Sequence, residues 1–247
     1  LCFIIDYQRD KIKRNMPNIV KNTTFFNLFD LLAPHSCRGC DRLGSVLCDC
    51  CKNNILANHK HICPKCKTIN EGASCPNCPE LPPIYVIGER TDTIGKLAQD
   101  LKYSSVRAAA PAIADIVNHI IPTQNQQTTL VPLPTISRHV RSRGLDHTLL
   151  IAKHLARLHQ EYKVEPILIR AQDTIQVGAD SKTRHLQASK AYTINPALSI
   201  DPTIHYILID DVWTTGSSMT AAIEKLRQAG AQHISGIILA LSRFHQK

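Results

Sequence analysis

Four cysteine pairs, each spaced C-x-x-C, crowd into one short stretch of this chain: Cys37/Cys40, Cys48/Cys51, Cys63/Cys66 and Cys75/Cys78. Cys50 sits beside Cys51, Cys2 lies far upstream, and no cysteine occurs between Pro79 and Lys247. A disulfide framework staples the core that it stabilises, and here the larger part of the chain has nothing to staple. A C-x-x-C turn instead places two thiolates on one metal ion, and two such turns close a tetrahedral all-sulfur site. The pattern therefore predicts one or two zinc ions in a reducing, cytoplasmic setting, with Cys2 and Cys50 outside the sites. The gaps from Cys40 to Cys48 and from Cys66 to Cys75 are nearly equal. That favours two successive zinc ribbons, Cys37–Cys51 and Cys63–Cys78, with a crossed pairing still open. A site filled by four sulfurs keeps no open position, so both read as structural. Ferredoxin-type spacings are absent, which favours zinc over an iron–sulfur cluster. The segment is polar and short of apolar residues, so metal is expected to supply its folding energy. Its sequence leaves open whether it binds DNA, docks a partner or caps the next domain.

Composition excludes several classes. Hydrophobic residues make up 43% and charged residues 20% of the 247 positions, too apolar for a disordered chain. No apolar run approaches about 18 residues, so no membrane insertion is expected. The formal charge of +9 falls to about +5 if eight thiolates hold two divalent ions. A moderately basic protein of this kind suits phosphorylated small molecules or nucleic acid.

The chain divides into three parts. Residues 1–23 read as disordered or as a mis-assigned start, with Met16 a candidate initiator. Residues 24–80 hold a short helix, TFFNLFDLLA at 24–33, followed by the double zinc ribbon. Prolines 79, 82 and 83 mark a linker, and 84–247 alternates apolar runs with amphipathic stretches. That alternation predicts an α/β domain with a parallel sheet flanked by helices.

The sharpest motif lies near the C-terminus. An apolar run, IHYILI at 204–209, leads into Asp210, Asp211, Val212, Trp213, Thr214, Thr215, Gly216, Ser217 and Ser218. A helical pattern follows through Leu226 to Gly230, then a second apolar run at 234–241. This is a strand–loop–helix–strand unit, and in open α/β sheets ligands bind at such strand-to-helix loops. Small residues at 214–218 let backbone amides and hydroxyls wrap a phosphate at a helix N-terminus. The adjacent carboxylates of Asp210 and Asp211 suit two vicinal hydroxyls. Together these parts fit a ribose 5-phosphate, while the Walker and dinucleotide fingerprints are missing. The plain alternative is a capped helix after an acidic turn.

On these residues, ILIDDVWTTGSSM resembles the phosphoribosyl-pyrophosphate loop of type I phosphoribosyltransferases. With the four C-x-x-C pairs in front, the chain resembles the ComF/GntX family of ComFC-type competence proteins. LFDLLAPHSCRGC at 28–40, LKY at 101–103, VPLP at 131–134, RHVRSRGLDHTLLIAKHLA at 138–156 and the stretch 170–194 resemble further family segments. There are departures: the family's G-F-N-Q is Gly144, Leu145, Asp146 and His147 here, a later Asn is Gln187, and a Phe is Tyr192.

The resemblance implies a type I phosphoribosyltransferase-like fold. It implies that Asp210 and Asp211 bind ribose hydroxyls, and that Thr214, Thr215, Gly216, Ser217 and Ser218 hold the 5-phosphate. Leu101, Lys102 and Tyr103 would lie at the pyrophosphate, with Mg²⁺ carried largely on pyrophosphate oxygens and water. It also implies a role in natural transformation, handling single-stranded DNA after uptake. Arg138, Arg141 and Arg143 form a basic loop that could close on a phosphorylated ligand or follow a nucleic-acid backbone; a solvated basic face is the bland alternative. An aromatic content of 5% weighs against single-strand binding by base stacking. The rival expectations are an active phosphoribosyltransferase with an unknown acceptor, and a ribbon scaffold recruiting a helicase-like competence protein.

Overall fold

A computed structural model describes residues 35–70, 74–103, 106–122, 126–134, 146–170 and 191–242. The expected helix at 24–33, the segment 1–23 and the loop bearing Arg138, Arg141 and Arg143 fall outside these residues.

Five strands of continuous apolar character form the parallel centre of a seven-stranded sheet. They are β3 (Ile84–Glu89), β4 (Thr128–Pro132), β5 (Tyr162–Val164), β8 (His205–Trp213) and β9 (His233–Leu241). Such runs suit strands covered on both faces. In β4 all five residues are buried, and in β8 the first five are buried. The spatial order is β3-β9-β8-β4-β5, with all four pairings parallel. Two short strands from the cysteine-rich segment, β1 (Lys60–Ile62) and β2 (Ile69–Asn70), add antiparallel at the β3 edge. A separate antiparallel ribbon joins β6 (Leu168–Arg170) to β7 (Tyr192–Ile194).

Helices cover both faces. On one, α2 (Thr93–Tyr103), α3 (Ala109–Ile120) and α4 (His147–Ala156) bury Leu97, Ile113 and Ile151 against Ile207 and Ile209. Pro111 falls in the first turn of α3, where its missing N–H costs little. On the other face, α5 (Ser217–Gln228) and the β6–β7 ribbon bury Met219, Leu226 and Tyr192 against Tyr206 and Leu208. The connection β8–α5–β9 runs towards β3, whereas β4–α4–β5 runs the opposite way on the opposite face. The strand order therefore reverses between β4 and β8. The space outside their carboxyl ends, termed the crevice below, is the position where open α/β sheets take ligands.

The cysteine-rich segment is built into this sheet. Its helix α1 (Asp49–Asn58) contributes Ile55, and the preceding turn contributes Val46, to the core beneath α2 and α3. Ile62 of β1 enters the core on the α5 side. The expectation that metal alone holds this segment is thus amended: its few apolar side chains are buried in the cores of the large sheet. The proline stretch 79–83, expected as a linker, joins two portions of one continuous sheet. No helix among the described residues is long and apolar enough to cross a membrane.

Ile55→Ala and Ile62→Ala should each destabilise the whole chain by about 2–5 kcal/mol. Denaturant unfolding should show a single shifted transition in each variant; an early, separate transition of the cysteine segment would contradict the shared core.

Candidate functional site

The eight paired thiols gather as two tetrads, Cys37/Cys40/Cys48/Cys51 and Cys63/Cys66/Cys75/Cys78, with all four sulfurs in each within 4.8 Å of one another. The order is successive, not crossed. Cys37 Sγ lies 3.7 Å from Cys48 Sγ, Cys40 Sγ 3.6 Å from Cys48 Sγ, and Cys66 Sγ 3.5 Å from Cys75 Sγ. Zn–S bonds of about 2.3 Å in a tetrahedron put the sulfurs about 3.8 Å apart, so both donor sets fit zinc.

The first turn of each tetrad has the same backbone. In one, the amide of Cys37 donates to Arg42 O and that of Asp41 to Cys37 O. In the other, Cys63 donates to Thr68 O and Lys67 to Cys63 O. Asp41 and Lys67, each just after the second cysteine, both take positive φ, at 58° and 61°. The tetrads then differ. The second is carried by the β1–β2 hairpin, whereas the first ends on a helix where a second ribbon was expected. Cys48 caps α1 and Cys51 lies in its first turn, a position whose dipole favours thiolate.

Charge crowding is visible in the thiols. Burial raises Cys37, yet the amides of Cys48 and Gly39 outweigh it and hold the thiol down to about 6. Hydrogen bonds from Thr68 hold Cys66 down to about 6 as well. Burial, with the Cys63 thiol beside it, pushes Cys78 up to about 12, and burial also pushes Cys51 up. Four adjacent thiolates repel one another, and a divalent cation removes that conflict.

The crevice is built at the end of β8. Asp210 and Asp211 leave the strand side by side, and the Asp211 amide donates to Asp210 Oδ1 at 2.8 Å. The Asp211 carboxylate is ion-paired with Lys102 from the last turn of α2. It also lies 2.8 Å from Nε2 of His147, the first residue of α4. Burial pushes the Asp210 carboxyl up to about 6, against the pull of Lys102 and Arg170. Burial and the Asp210 charge raise Tyr192, whose hydroxyl is hydrogen-bonded to Ser218.

The loop beyond is open. Thr214, Thr215 and Ser218 are exposed and Ser217 is half-buried. The Thr215 and Ser217 hydroxyls lie 2.8 Å apart. Gly216 caps α5 with φ of 77°, and a Cβ there would come within 2.2 Å of Trp213 Cζ2. Only glycine meets both demands. The Ser217 amide of the first turn donates to Thr215 Oγ1 at 3.4 Å, and a helix N-terminus of this kind favours negative charge.

No protein-family model matches this chain, and no curated protein matches it. The reading of the site therefore rests on its own geometry.

Of the residues expected from sequence, Lys102 and the Asp210–Ser218 stretch lie at the crevice. Lys102 directly neutralises Asp211. Tyr103 is exposed at the end of α2, and Leu101 is buried in the core. The three therefore end a helix rather than forming a loop. His147, Arg170 and Tyr192 were not singled out as site residues. For His147 a signal existed: Asp146 accepts from the Leu149 amide at 3.1 Å, an N-cap that places His147 at a helix start behind β4. Gly39 is a further structural demand, because a Cβ there would stand 2.6 Å from Cys51 Sγ and 2.9 Å from Thr93 Oγ1. Gly39→Ala should therefore lower bound zinc from two ions per chain towards one, measured by metal analysis of the purified protein. Retention of both ions would show that the first tetrad tolerates that intrusion.

Proposed function

We propose that the crevice between β4 and β8 binds phosphoribosyl pyrophosphate or a related ribose phosphate. The observation that carries this reading is the end of β8. Two adjacent carboxylates stand there beside a glycine-capped helix N-terminus whose loop hydroxyls, from Thr214 to Ser218, are open to an anion. A ribose would place its hydroxyls on Asp210 and Asp211 and its 5-phosphate on the loop. Lys102, already beside Asp211, supplies a point charge for a pyrophosphate. Mg²⁺ would arrive largely on pyrophosphate oxygens and water. The two cysteine tetrads support structural zinc at both.

The resemblance to the ComF/GntX family supports a type I phosphoribosyltransferase-like fold behind a zinc-binding cysteine segment. It further supports a role in DNA uptake, with single-stranded DNA as a second ligand. Arg138, Arg141 and Arg143, the basic residues proposed to meet that strand, lie outside the described residues.

A second reading, transfer of ribose 5-phosphate to an acceptor, is favoured by Asp210. A carboxyl pushed up to about 6 is suited to take the proton of an attacking nucleophile near neutral pH. In that reaction the nucleophile bonds to C1 and the C1–O bond to pyrophosphate breaks. The bonding pair leaves with the pyrophosphate. Release of pyrophosphate from phosphoribosyl pyrophosphate with Mg²⁺ and a panel of bases separates turnover from binding alone.

Calorimetry should show ribose 5-phosphate binding to the zinc-loaded chain, weakened at least about tenfold by Asp210→Asn with Asp211→Asn; equal affinities would remove the acidic pair from the site. A second outcome concerns pH. Asp210 loses its full acceptor capacity as it protonates below about 6, so affinity should rise from pH 5 to pH 7. That rise should be smaller in Asp210→Asn, which removes the contribution of this carboxyl.

A further inference from the structure

The second tetrad touches the phosphate loop. Its first turn, Cys63 to Thr68, is closed by Cys63 N to Thr68 O at 3.0 Å and Lys67 N to Cys63 O at 3.1 Å. These bonds hold Lys67 in the left-handed region, at φ of 61°, a conformation that a lysine adopts only when its surroundings impose it. From there the side chain, though exposed to solvent, folds back along the protein surface. Its Nζ donates to Pro64 O at 2.7 Å and lies 5.0 Å from the centroid of the Trp213 ring. Pro64 O also meets Thr220 Oγ1, in the first turn of α5, at 3.5 Å. At the other end of the helix, Arg227 donates to Glu80 O at 2.9 Å, just past Cys78. The cysteine module thus grips α5 at both ends.

Trp213 connects the turn to the ligand loop. The ring is 3% exposed. One side faces the Lys67 ammonium, and its edge fills the space where a Gly216 side chain would go. The turn of Gly216 sets where the first amides of α5 point. Whatever holds the ring therefore holds the anion-binding end of the helix.

We propose that metal in the second tetrad fixes the phosphate loop through Lys67 and Trp213, so that loading of this site sets the affinity of the loop for a phosphate. Metal closes the turn, the turn holds Lys67 over the indole, and the indole holds Gly216. Lys67 is a positioning residue and touches no ligand. The effect on a ligand rests on the ribose-phosphate reading above; the link from metal to Trp213 does not.

The chain has one tryptophan, so its fluorescence reports this contact alone. The test uses the full zinc-loaded chain and three variants, Lys67→Met, Lys67→Arg and Cys63→Ser. Zinc content, acrylamide quenching of the tryptophan and calorimetric binding of ribose 5-phosphate are measured on each. Lys67→Met should keep both zinc ions, increase quenching about twofold or more and weaken ribose 5-phosphate about three- to tenfold. Lys67→Arg, which restores a cation over the ring, should recover most of both. Cys63→Ser should lose one zinc and match Lys67→Met in quenching; if it fails to fold, removal of zinc from the wild-type chain by a chelator takes its place and should raise quenching equally. Wild-type quenching in Lys67→Met overturns the proposal, as does increased quenching with unaltered affinity. Absence of ribose 5-phosphate binding to the wild-type chain overturns the functional reading, while the quenching comparison still decides the link from metal to Trp213.

Discussion

Strand β8 is hydrogen-bonded in parallel on both edges, to β9 along one and to β4 along the other. The rest of the structure is arranged around that double pairing. Because both faces are covered, its first residues must be apolar; because it ends at the point where connections diverge, its last residues can be acidic. The same strand thus supplies Tyr206, Ile207 and Leu208 to the two cores and Asp210 and Asp211 to the crevice. Every other candidate group reaches the crevice from an element packed on β8 or beside it. Lys102 arrives from α2, His147 from α4, and Tyr192 and Arg170 from the β6–β7 ribbon.

The crevice is nearly balanced in charge. Two carboxylates brought together out of water are costly unless cations or hydrogen bonds accompany them. Asp211 is accompanied by Lys102 and His147, while Asp210 meets part of the cost by holding its proton to higher pH. Under the proposed reading, a ligand with vicinal hydroxyls would exchange partners with groups that are already positioned, which spares the reordering of flexible side chains. The first tetrad contributes at a distance. Arg38, inside its first turn, pairs with Asp100 on α2, two residues before Lys102. Each cysteine module therefore braces one side of the crevice: the first through α2, the second through α5.

The parts legible in the sequence were those whose signal is local. The apolar run before Asp210, the small residues at 214–218 and the helix to Gly230 are each encoded within a few neighbours, and so are the C-x-x-C turns. The topological facts were not legible. Lys60–Ile62 is too short to carry an alternation, so its pairing with β3 could not be foreseen. His147 acquires its partner from residue 211 because β4 and β8 are neighbours, and no spacing in the sequence announces that. Lys67 carries no signal in the sequence beyond its place beside Cys66. Its role follows from the ring that the fold carries beneath it.

Strand β9 lies between β3 and β8 although it follows both in the chain. Residue 84 must wait for residue 236 before its inner edge is paired, and until then β3 and β8 present open edges to each other and to other chains. The two cysteine turns, by contrast, close over only a few residues each. The sheet is therefore complete only when the most C-terminal strand takes its central place, a long-range pairing that costs more chain entropy than the local cysteine turns. The acidic end of β8 consequently depends for its position on the strand that lies farthest along the chain.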